Sequence, residues 1–262
     1  MSVVLLNQEI VHYEVLGRGR PLILLHGWVG SWRYWIPVMQ AASVQYRAYA
    51  IDFWGFGDSS KQRERYSIDQ QCAMLEAFLD EMGIGRVALI GHGLGALVAL
   101  RAAQRLPQVI DRLMAVSAPL EDSMVNGRLR STAPQELADW LMGRSPLVEP
   151  VRADAPKADP LAVQASLAGL PMLGLLDCWR QLKTACLLVN GQGDGAVEPP
   201  RLDQLANLPE QTHAVSFEQS GHFPMLDESS KFNRLMMDFL SLPSGESPRQ
   251  LQLKEEWKRR VR

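Results

Sequence analysis

One segment restricts the possible folds of this chain more than any other, and it covers residues 87–100, Val-Ala-Leu-Ile-Gly-His-Gly-Leu-Gly-Ala-Leu-Val-Ala-Leu. It is typical of a short apolar strand, a tight glycine-rich turn and a helix of small residues. The glycines at 91, 93 and 95 have the G-x-G-x-G spacing of a nucleophile elbow, in which a strand turns sharply into a helix. The segment therefore predicts a unit of a parallel sheet covered by helices.

The apex of this predicted turn is Gly93, which has no side chain that could react. A nucleophile elbow carries Ser, Cys or Asp at this position, so that the reactive atom stands above the sheet. Glycine adopts the strained backbone angles of such an apex without the cost of roughly 1 to 3 kcal/mol that other residues have. The sequence thus predicts the geometry of an elbow without its nucleophile.

Apolar runs of strand length alternate with helical stripes along most of the chain. Residues 22–25 and 113–117 read as strands that are buried on both faces. Between such strands, the stripe at 68, 72, 75, 79 and 82 predicts an amphipathic helix that ends at Gly83. This alternation predicts an α/β protein with a mostly parallel, doubly wound sheet, in which ligands bind at the carboxyl ends of the strands.

Four further motifs lie in a familiar order around the elbow. His26-Gly27-Trp28 follows one strand, Asp-Phe-Trp-Gly-Phe-Gly-Asp-Ser spans 52–59, Asp194 follows a later strand, and Ser220-Gly221-His222 follows the last one. Together with the elbow, they resemble the α/β-hydrolase family over nearly the whole chain. The resemblance implies an α/β-hydrolase fold with an inserted helical lid. Within that family, this chain would be a lid-bearing, serine-hydrolase-like member that has glycine at the nucleophile position.

The resemblance also implies roles for individual residues. Gly93 stands at the nucleophile position, Asp194 at the position of the catalytic acid, and His222 at that of the base. The oxyanion hole would consist of the backbone N–H groups of Trp28 and Leu94. Because Asp194 lies among three glycines, a purely turn-forming role is a competing interpretation for it.

Several neighbouring polar residues have simpler interpretations. His92 is expected to pack rather than react, because the side chains beside an elbow apex point away from the site. Ser31 is expected to cap a helix and Ser117 to stabilise a turn at the end of a strand. A metal site formed by His26, His92 and His222 is not expected, because no spaced pair such as H-E-x-x-H is present.

The domain prediction follows from where the alternation of strands and helices stops. Residues 1–118 and 184–242 are expected to form the α/β-hydrolase core, and the proline-rich residues 119–183 a helical lid over the site. Residues 243–262 are predicted to be a linker and a basic C-terminal tail. That tail either docks onto an acidic partner or a membrane surface, or folds back on its own body.

Composition excludes several classes of function. A net charge of −2 gives no reason to expect nucleic-acid binding, and no apolar run reaches the length of a membrane span. No phosphate loop or dinucleotide fingerprint is present, so no cofactor is expected. Three cysteines without framework spacing indicate a reducing, cytoplasmic location and no disulfides.

Three hypotheses about function remain open from the sequence. The first is a catalytically impaired, esterase-like pseudoenzyme that binds a small apolar molecule or ester beneath its lid. The second is a hydrolase or lyase in which His222 activates a water in the space at Gly93. The third is a serine hydrolase inactivated by substitution at position 93, and under this hypothesis Gly93→Ser is expected to create an active esterase.

Overall fold

The computed structural model describes residues 2–142 and 149–253. An eight-stranded sheet runs through it in the order β1-β2-β4-β3-β5-β6-β7-β8. The strands are β1 (Ser2–Leu6), β2 (Glu9–Leu16), β3 (Arg20–Leu25), β4 (Tyr46–Ile51), β5 (Val87–His92), β6 (Ile110–Val116), β7 (Ala185–Gly191) and β8 (Thr212–Phe217). The first two strands pair antiparallel with their neighbours, and all other pairs are parallel. The predicted α/β-hydrolase fold with a mostly parallel, doubly wound sheet is confirmed.

Eleven α-helices accompany the sheet in the described part of the chain. They are α1 (Ile36–Ala42), α2 (Ile68–Glu81), α3 (Leu94–Arg105), α4 (Arg128–Ser131), α5 (Pro134–Met142), α6 (Glu149–Asp154), α7 (Pro160–Ala168), α8 (Leu175–Arg180), α9 (Leu202–Leu205), α10 (Pro224–Asp227) and α11 (Ser229–Leu240). The helix predicted to start after Ser31 opens with a 3₁₀ turn, Trp32–Trp35, and Ser31 caps it by accepting from Arg33 N–H. None of the described helices is long and apolar enough to cross a membrane.

Close packing of the elbow strand and its helix explains two of the three glycines in the turn. A Cβ atom on Gly95 would lie 2.3 Å from the carbonyl oxygen of Leu25 in the neighbouring strand. One on Gly91 would lie 2.3 Å from the carbonyl oxygen of Gly95. Real side chains do not fit at such distances, so both glycines are required for helix α3 to approach the sheet. The G-x-G-x-G spacing is therefore a packing requirement as well as a motif.

The segment between β6 and β7 contains helices α4–α8 and contributes no strand to the sheet within its described residues. It packs on the carboxyl edge, where Asp159 N–H donates to the carbonyl of Gly55 over 2.7 Å and Tyr66 donates to the Asp159 carboxylate over 2.8 Å. This arrangement fits the lid proposed for residues 119–183. The basic tail proposed to end the chain lies outside the described residues from position 254 onward.

Candidate active site

The turn after β5 has the backbone conformation of an elbow. Gly93 has φ +49° and ψ −110°, and its N–H donates to the carbonyl of Val116 on the adjacent strand over 2.9 Å. The carbonyl of Gly93 accepts from Ala96 N–H at the start of helix α3. A positive φ of this kind is strained for any residue with a Cβ, so glycine relaxes the turn without changing its shape.

The indole of Trp28 lies against the apex of the elbow. A Cβ atom on Gly93 would be 3.0 Å from Cε3 and 3.1 Å from Cζ3 of that ring, which is tighter than ordinary van der Waals contact. Trp28 is fully buried, and its Nε1–H donates to Ser166 Oγ on helix α7 over 3.1 Å. Helix α7 therefore holds the ring in contact with the glycine.

This contact could not be foreseen from the sequence, which assigned Trp28 a role only through its backbone N–H group. Ser166 lies in a segment without any motif and 138 residues away along the chain. We therefore expect Gly93→Ser alone to gain less esterase activity than the sequence predicts, because the new Cβ would contact the indole. The only signal in the sequence was the coincidence of a large aromatic residue in the oxyanion turn and a glycine at the apex.

Asp194 and His222 are hydrogen-bonded, as expected from their places after β7 and β8. Nδ1 of His222 lies 2.9 Å and 3.0 Å from the two carboxylate oxygens. Burial alone would raise the pKa of Asp194, but the charge interaction and hydrogen bond with His222, together with backbone N–H donors, lower it below its usual value. Since Oδ1 also accepts from Ala196 and Val197 N–H, Asp194 both orders its own turn and orients the imidazole.

The ring hydrogen bonds of His222 to described residues all use Nδ1, and none uses its other nitrogen, Nε2. Two hydrogen bonds hold the backbone of His222 in place, because its carbonyl oxygen accepts from Ser117 Oγ over 3.0 Å and from His92 Nε2 over 2.8 Å. Ser117 has a φ of +48° at the end of β6. The imidazole thus offers one unoccupied basic nitrogen on a fixed loop.

His92 is more than the packing residue that the sequence indicated. Because the carbonyl of His222 can only accept, Nε2 of His92 carries the proton and Nδ1 accepts from Tyr34 Oη over 2.9 Å. The same Tyr34 hydroxyl accepts from Gly27 N–H over 2.6 Å. Burial, and then the nearby His222, lower the pKa of His92 well below its usual value, so the ring is neutral. This chain of hydrogen bonds ties the oxyanion turn to the histidine loop behind the elbow.

The two backbone N–H groups assigned to the oxyanion hole lie at the end of β3 and at the start of helix α3. Trp28 N–H follows β3, and Leu94 N–H is the first of helix α3. Neither donates a hydrogen bond to an acceptor in the part of the chain that the structure describes. The first turn of a helix leaves such donors available, and its dipole favours a partial negative charge beside them. An oxygen that develops negative charge could therefore be bound here.

The three histidines at the carboxyl edge do not form a metal site. Nε2 of His26 accepts from Phe53 N–H and its Nδ1 bonds the carbonyl of Gly27, so both nitrogens are engaged. Both nitrogens of His92 are engaged as well. His222 retains a single free nitrogen, which is too few ligands to hold an ion.

A second group with metal-ligating atoms escaped the sequence analysis. His12, Asp52 and Asp58 have ligand atoms within 4.8 Å of one another. The carboxylate of Asp52 accepts from His12 Nδ1 over 2.8 Å and from Asp58 N–H over 3.1 Å, and Asp58 pairs with Lys157. These bonds engage Nδ1 of His12 and the carboxylates of Asp52 and Asp58, so the group joins β2, the 52–59 loop and Lys157 of the segment between β6 and β7.

Both the sequence and the fold of this chain are similar to those of known proteins. A sequence profile of the alpha/beta hydrolase fold family matches residues 20–153. The chain is similar to the pimeloyl-(acyl-carrier protein) methyl ester esterase of Aeromonas salmonicida, with 26% identity over 255 residues that span 88% of this chain and 99% of that one. Relatives at this level include proteins whose names describe hydrolysis of esters.

Two solved structures share the fold. The enol-lactonase from Burkholderia xenovorans LB400 superposes with a TM-score of 0.81 at 19% identity, covering 92% of this chain and 100% of that one. A serine-to-glycine mutant of the N-acyl homoserine lactonase AidH, complexed with N-hexanoyl homoserine lactone, has a TM-score of 0.76 at 19% identity, covering 91% and 96%. Because the profile spans just over half of the chain, this protein belongs to the alpha/beta hydrolase family.

Proposed function

We propose that this protein binds a small ester or lactone in an esterase-like site and does not form a covalent acyl intermediate with it. The observation that carries the proposal is the contact between the Trp28 indole and Gly93, where a nucleophile's Cβ would stand. A serine hydrolase that had merely lost its hydroxyl would retain room for a Cβ. Here a Cβ would lie only 3.0 Å from the ring, so the ring would have to shift by a few tenths of an ångström, and its hydrogen bond to Ser166 opposes that shift.

The remaining parts of the site support binding of an acyl group. The N–H groups of Trp28 and Leu94 are free to donate to a carbonyl oxygen, and the buried aromatic surface beside them favours an apolar body. Relatives named as ester hydrolases, and a glycine-substituted lactonase complexed with a lactone, agree with this ligand class. The ligand is therefore proposed to place its carbonyl oxygen at these two donors.

A second candidate function rests on the Asp194–His222 pair. The pair has the geometry of a general base, and Nε2 of His222 has no partner among the described residues. A water bound there could lose its proton to His222 and attack the carbonyl carbon of the ligand, with the charge on its oxygen held by the oxyanion donors. Such a reaction would release acid and alcohol without an acyl intermediate.

The experiment uses p-nitrophenyl butyrate with the wild-type protein, His222→Ala and the matched control His213→Ala, whose histidine lies in β8 away from the site. Binding is measured by isothermal titration calorimetry, release of p-nitrophenol by absorbance, and acylation by intact-protein mass spectrometry. We expect saturable binding to the wild type and to His213→Ala, release near the uncatalysed background, and no acyl adduct.

Multiple turnover by the wild type that disappears in His222→Ala would replace the first proposal with the water-activating hydrolase. An acyl adduct would refute both, because it requires a nucleophilic side chain. If neither this ester nor a short lactone binds saturably, the first proposed function is refuted.

A further inference from the structure

A cavity lies at the opposite edge of the sheet from His222. Its volume is about 420 Å³, and its walls come from the amino ends of β3, β4, β5 and β6 and from the residues that follow helix α11. This volume is within the range of small-molecule sites. Parallel strands have their amino ends at one edge, so the cavity is separated from the hydrolase site by the length of the strands. We refer to it as the amino-end cavity.

The charge of the amino-end cavity is strongly unbalanced for a protein with a net charge of −2. Three guanidinium groups line it, from Arg20, Arg86 and Arg112, together with one carboxylate, from Asp111. The resulting local charge is about +2. Apolar walls from the first residues of β5 and from Leu240 and Leu242 complete the lining.

One carboxylate organises two of these arginines. Oδ2 of Asp111 accepts from Arg112 Nε over 2.7 Å, and Oδ1 accepts from both Arg86 Nη2 over 2.8 Å and Ser244 Oγ over 2.6 Å. Burial would raise the pKa of Asp111, but hydrogen bonds from Ser244 and Arg112 and the two positive charges lower it. Asp111 is therefore ionised at neutral pH and holds the guanidinium groups in place before any ligand arrives.

Arg20 supplies a charge that no carboxylate of the described residues neutralises. Its Nη2–H donates to Tyr46 Oη over 2.6 Å, and its guanidinium lies 5.0 Å from the centre of that ring. Tyr46 in turn donates to the carbonyl of Leu240 over 2.8 Å, so the phenol and the arginine on it have a fixed position. Arg112 is buried and caps the carbonyl of Phe239, which leaves its Nη2 without a partner in the described structure.

From this arrangement we propose that the amino-end cavity binds a phosphate monoester with an apolar or aromatic body. A phosphate monoester carries a charge of about −1.5 to −2 at pH 7, which matches the local excess of positive charge. Guanidinium forks donate paired hydrogen bonds to phosphate oxygens, and the side chains of Arg20 and Arg86 line the cavity while remaining exposed to solvent. The apolar walls would contact the body of the ligand. This site is independent of the function proposed for the hydrolase site.

Calorimetric titration of phenyl phosphate, benzoate and inorganic phosphate at low ionic strength tests the proposal. The variants are Arg20→Gln/Arg86→Gln and, as a matched control, Arg201→Gln, because Arg201 and Arg86 are equally exposed at 63%. His222→Ala reports on binding in the hydrolase site. We expect phenyl phosphate to bind more tightly than benzoate or inorganic phosphate. Its affinity should fall at least tenfold in the double variant and remain within twofold in Arg201→Gln and His222→Ala.

Amide chemical shifts in the wild-type protein give a second readout that does not depend on folding of the variants. Phenyl phosphate should shift the amides of Val87, Ala88 and Leu242, which line the cavity. No saturable binding, equal loss in Arg201→Gln, loss in His222→Ala, or shifts confined to the carboxyl edge would each overturn the proposal. Tighter binding of benzoate than of phenyl phosphate would overturn the assignment of the ligand class.

Discussion

The contact between Trp28 and Gly93 leads to a prediction about how the two positions depend on each other. In Gly93→Ser, a Cβ must adopt a φ of +49° and lie 3.0 Å from Cε3 of the indole. Backbone strain of this kind costs about 1 to 3 kcal/mol, and overpacking in a core adds about 1 to 3 kcal/mol. The single substitution should therefore reduce the free energy of unfolding by about 2 to 6 kcal/mol, a large part of the stability of a typical domain.

Trp28→Leu removes both ring atoms that the new Cβ would touch. The backbone strain remains in Gly93→Ser/Trp28→Leu, but the overpacking does not. The two substitutions should consequently show a favourable coupling of about 1 to 3 kcal/mol in a double-mutant cycle. Trp179→Leu is the matched control, because Trp179 is also fully buried and donates its Nε1–H to a single acceptor, the carbonyl of Pro119.

Urea unfolding followed by circular dichroism measures the coupling, and hydrolysis of p-nitrophenyl butyrate measures its consequence for chemistry. Removal of a catalytic serine costs about 10⁶ in turnover in a related chemistry, so a properly placed hydroxyl should raise hydrolysis at least ~100-fold above wild type in the double variant. The gain should be smaller in Gly93→Ser alone. Additive stabilities within about 0.5 kcal/mol, or equal activity with and without Trp28, would refute the idea that the indole blocks the apex.

Three further predictions follow from the site and its supports. Because the pKa of buried His92 is lowered, only the unfolded state takes up a proton on this ring below about pH 6.5. The free energy of unfolding should therefore decrease by up to ~1.4 kcal/mol for each unit by which the pH falls below that value. In His92→Asn, the free energies of urea unfolding measured from pH 7 to pH 5 should depend less on pH. In the active Gly93→Ser/Trp28→Leu background, Asp194→Asn should reduce kcat by about 10⁴ with little change in stability, since the imidazole loses its orienting carboxylate, and an unchanged kcat would contradict this role. Asp154 is buried and accepts hydrogen bonds from Ser31 and Arg33, so Asp154→Asn should destabilise the protein by about 1 to 3 kcal/mol. Trypsin should then cleave faster within residues 119–183. Equal cleavage rates in the variant and the wild type would show that these hydrogen bonds do not hold this segment on the core.

The arrangement of the sheet was predictable from local patterns. Buried strands read as continuous apolar runs, as in β3, and amphipathic helices as stripes, as in α2. The spacing of the elbow glycines was likewise visible in the sequence, whereas the structure supplied the packing reason for Gly95, whose Cβ would meet the backbone of β3. Since the carboxyl ends of parallel strands share one edge, the placement of His26, Asp194 and His222 followed from the order of the strands.

What the sequence by itself determined is thus the fold, the edge on which the site lies, and the absence of a nucleophile at position 93. Only the tertiary structure decided what fills the space above that glycine, because the Trp28 ring is held by Ser166 from a segment 138 residues away. It likewise decided that His92 links the oxyanion turn to the histidine loop, and that three arginines from separate segments of the chain meet in one cavity. Patterns along a chain report which face of an element is buried, whereas side-chain contacts between distant segments depend on how those elements pack.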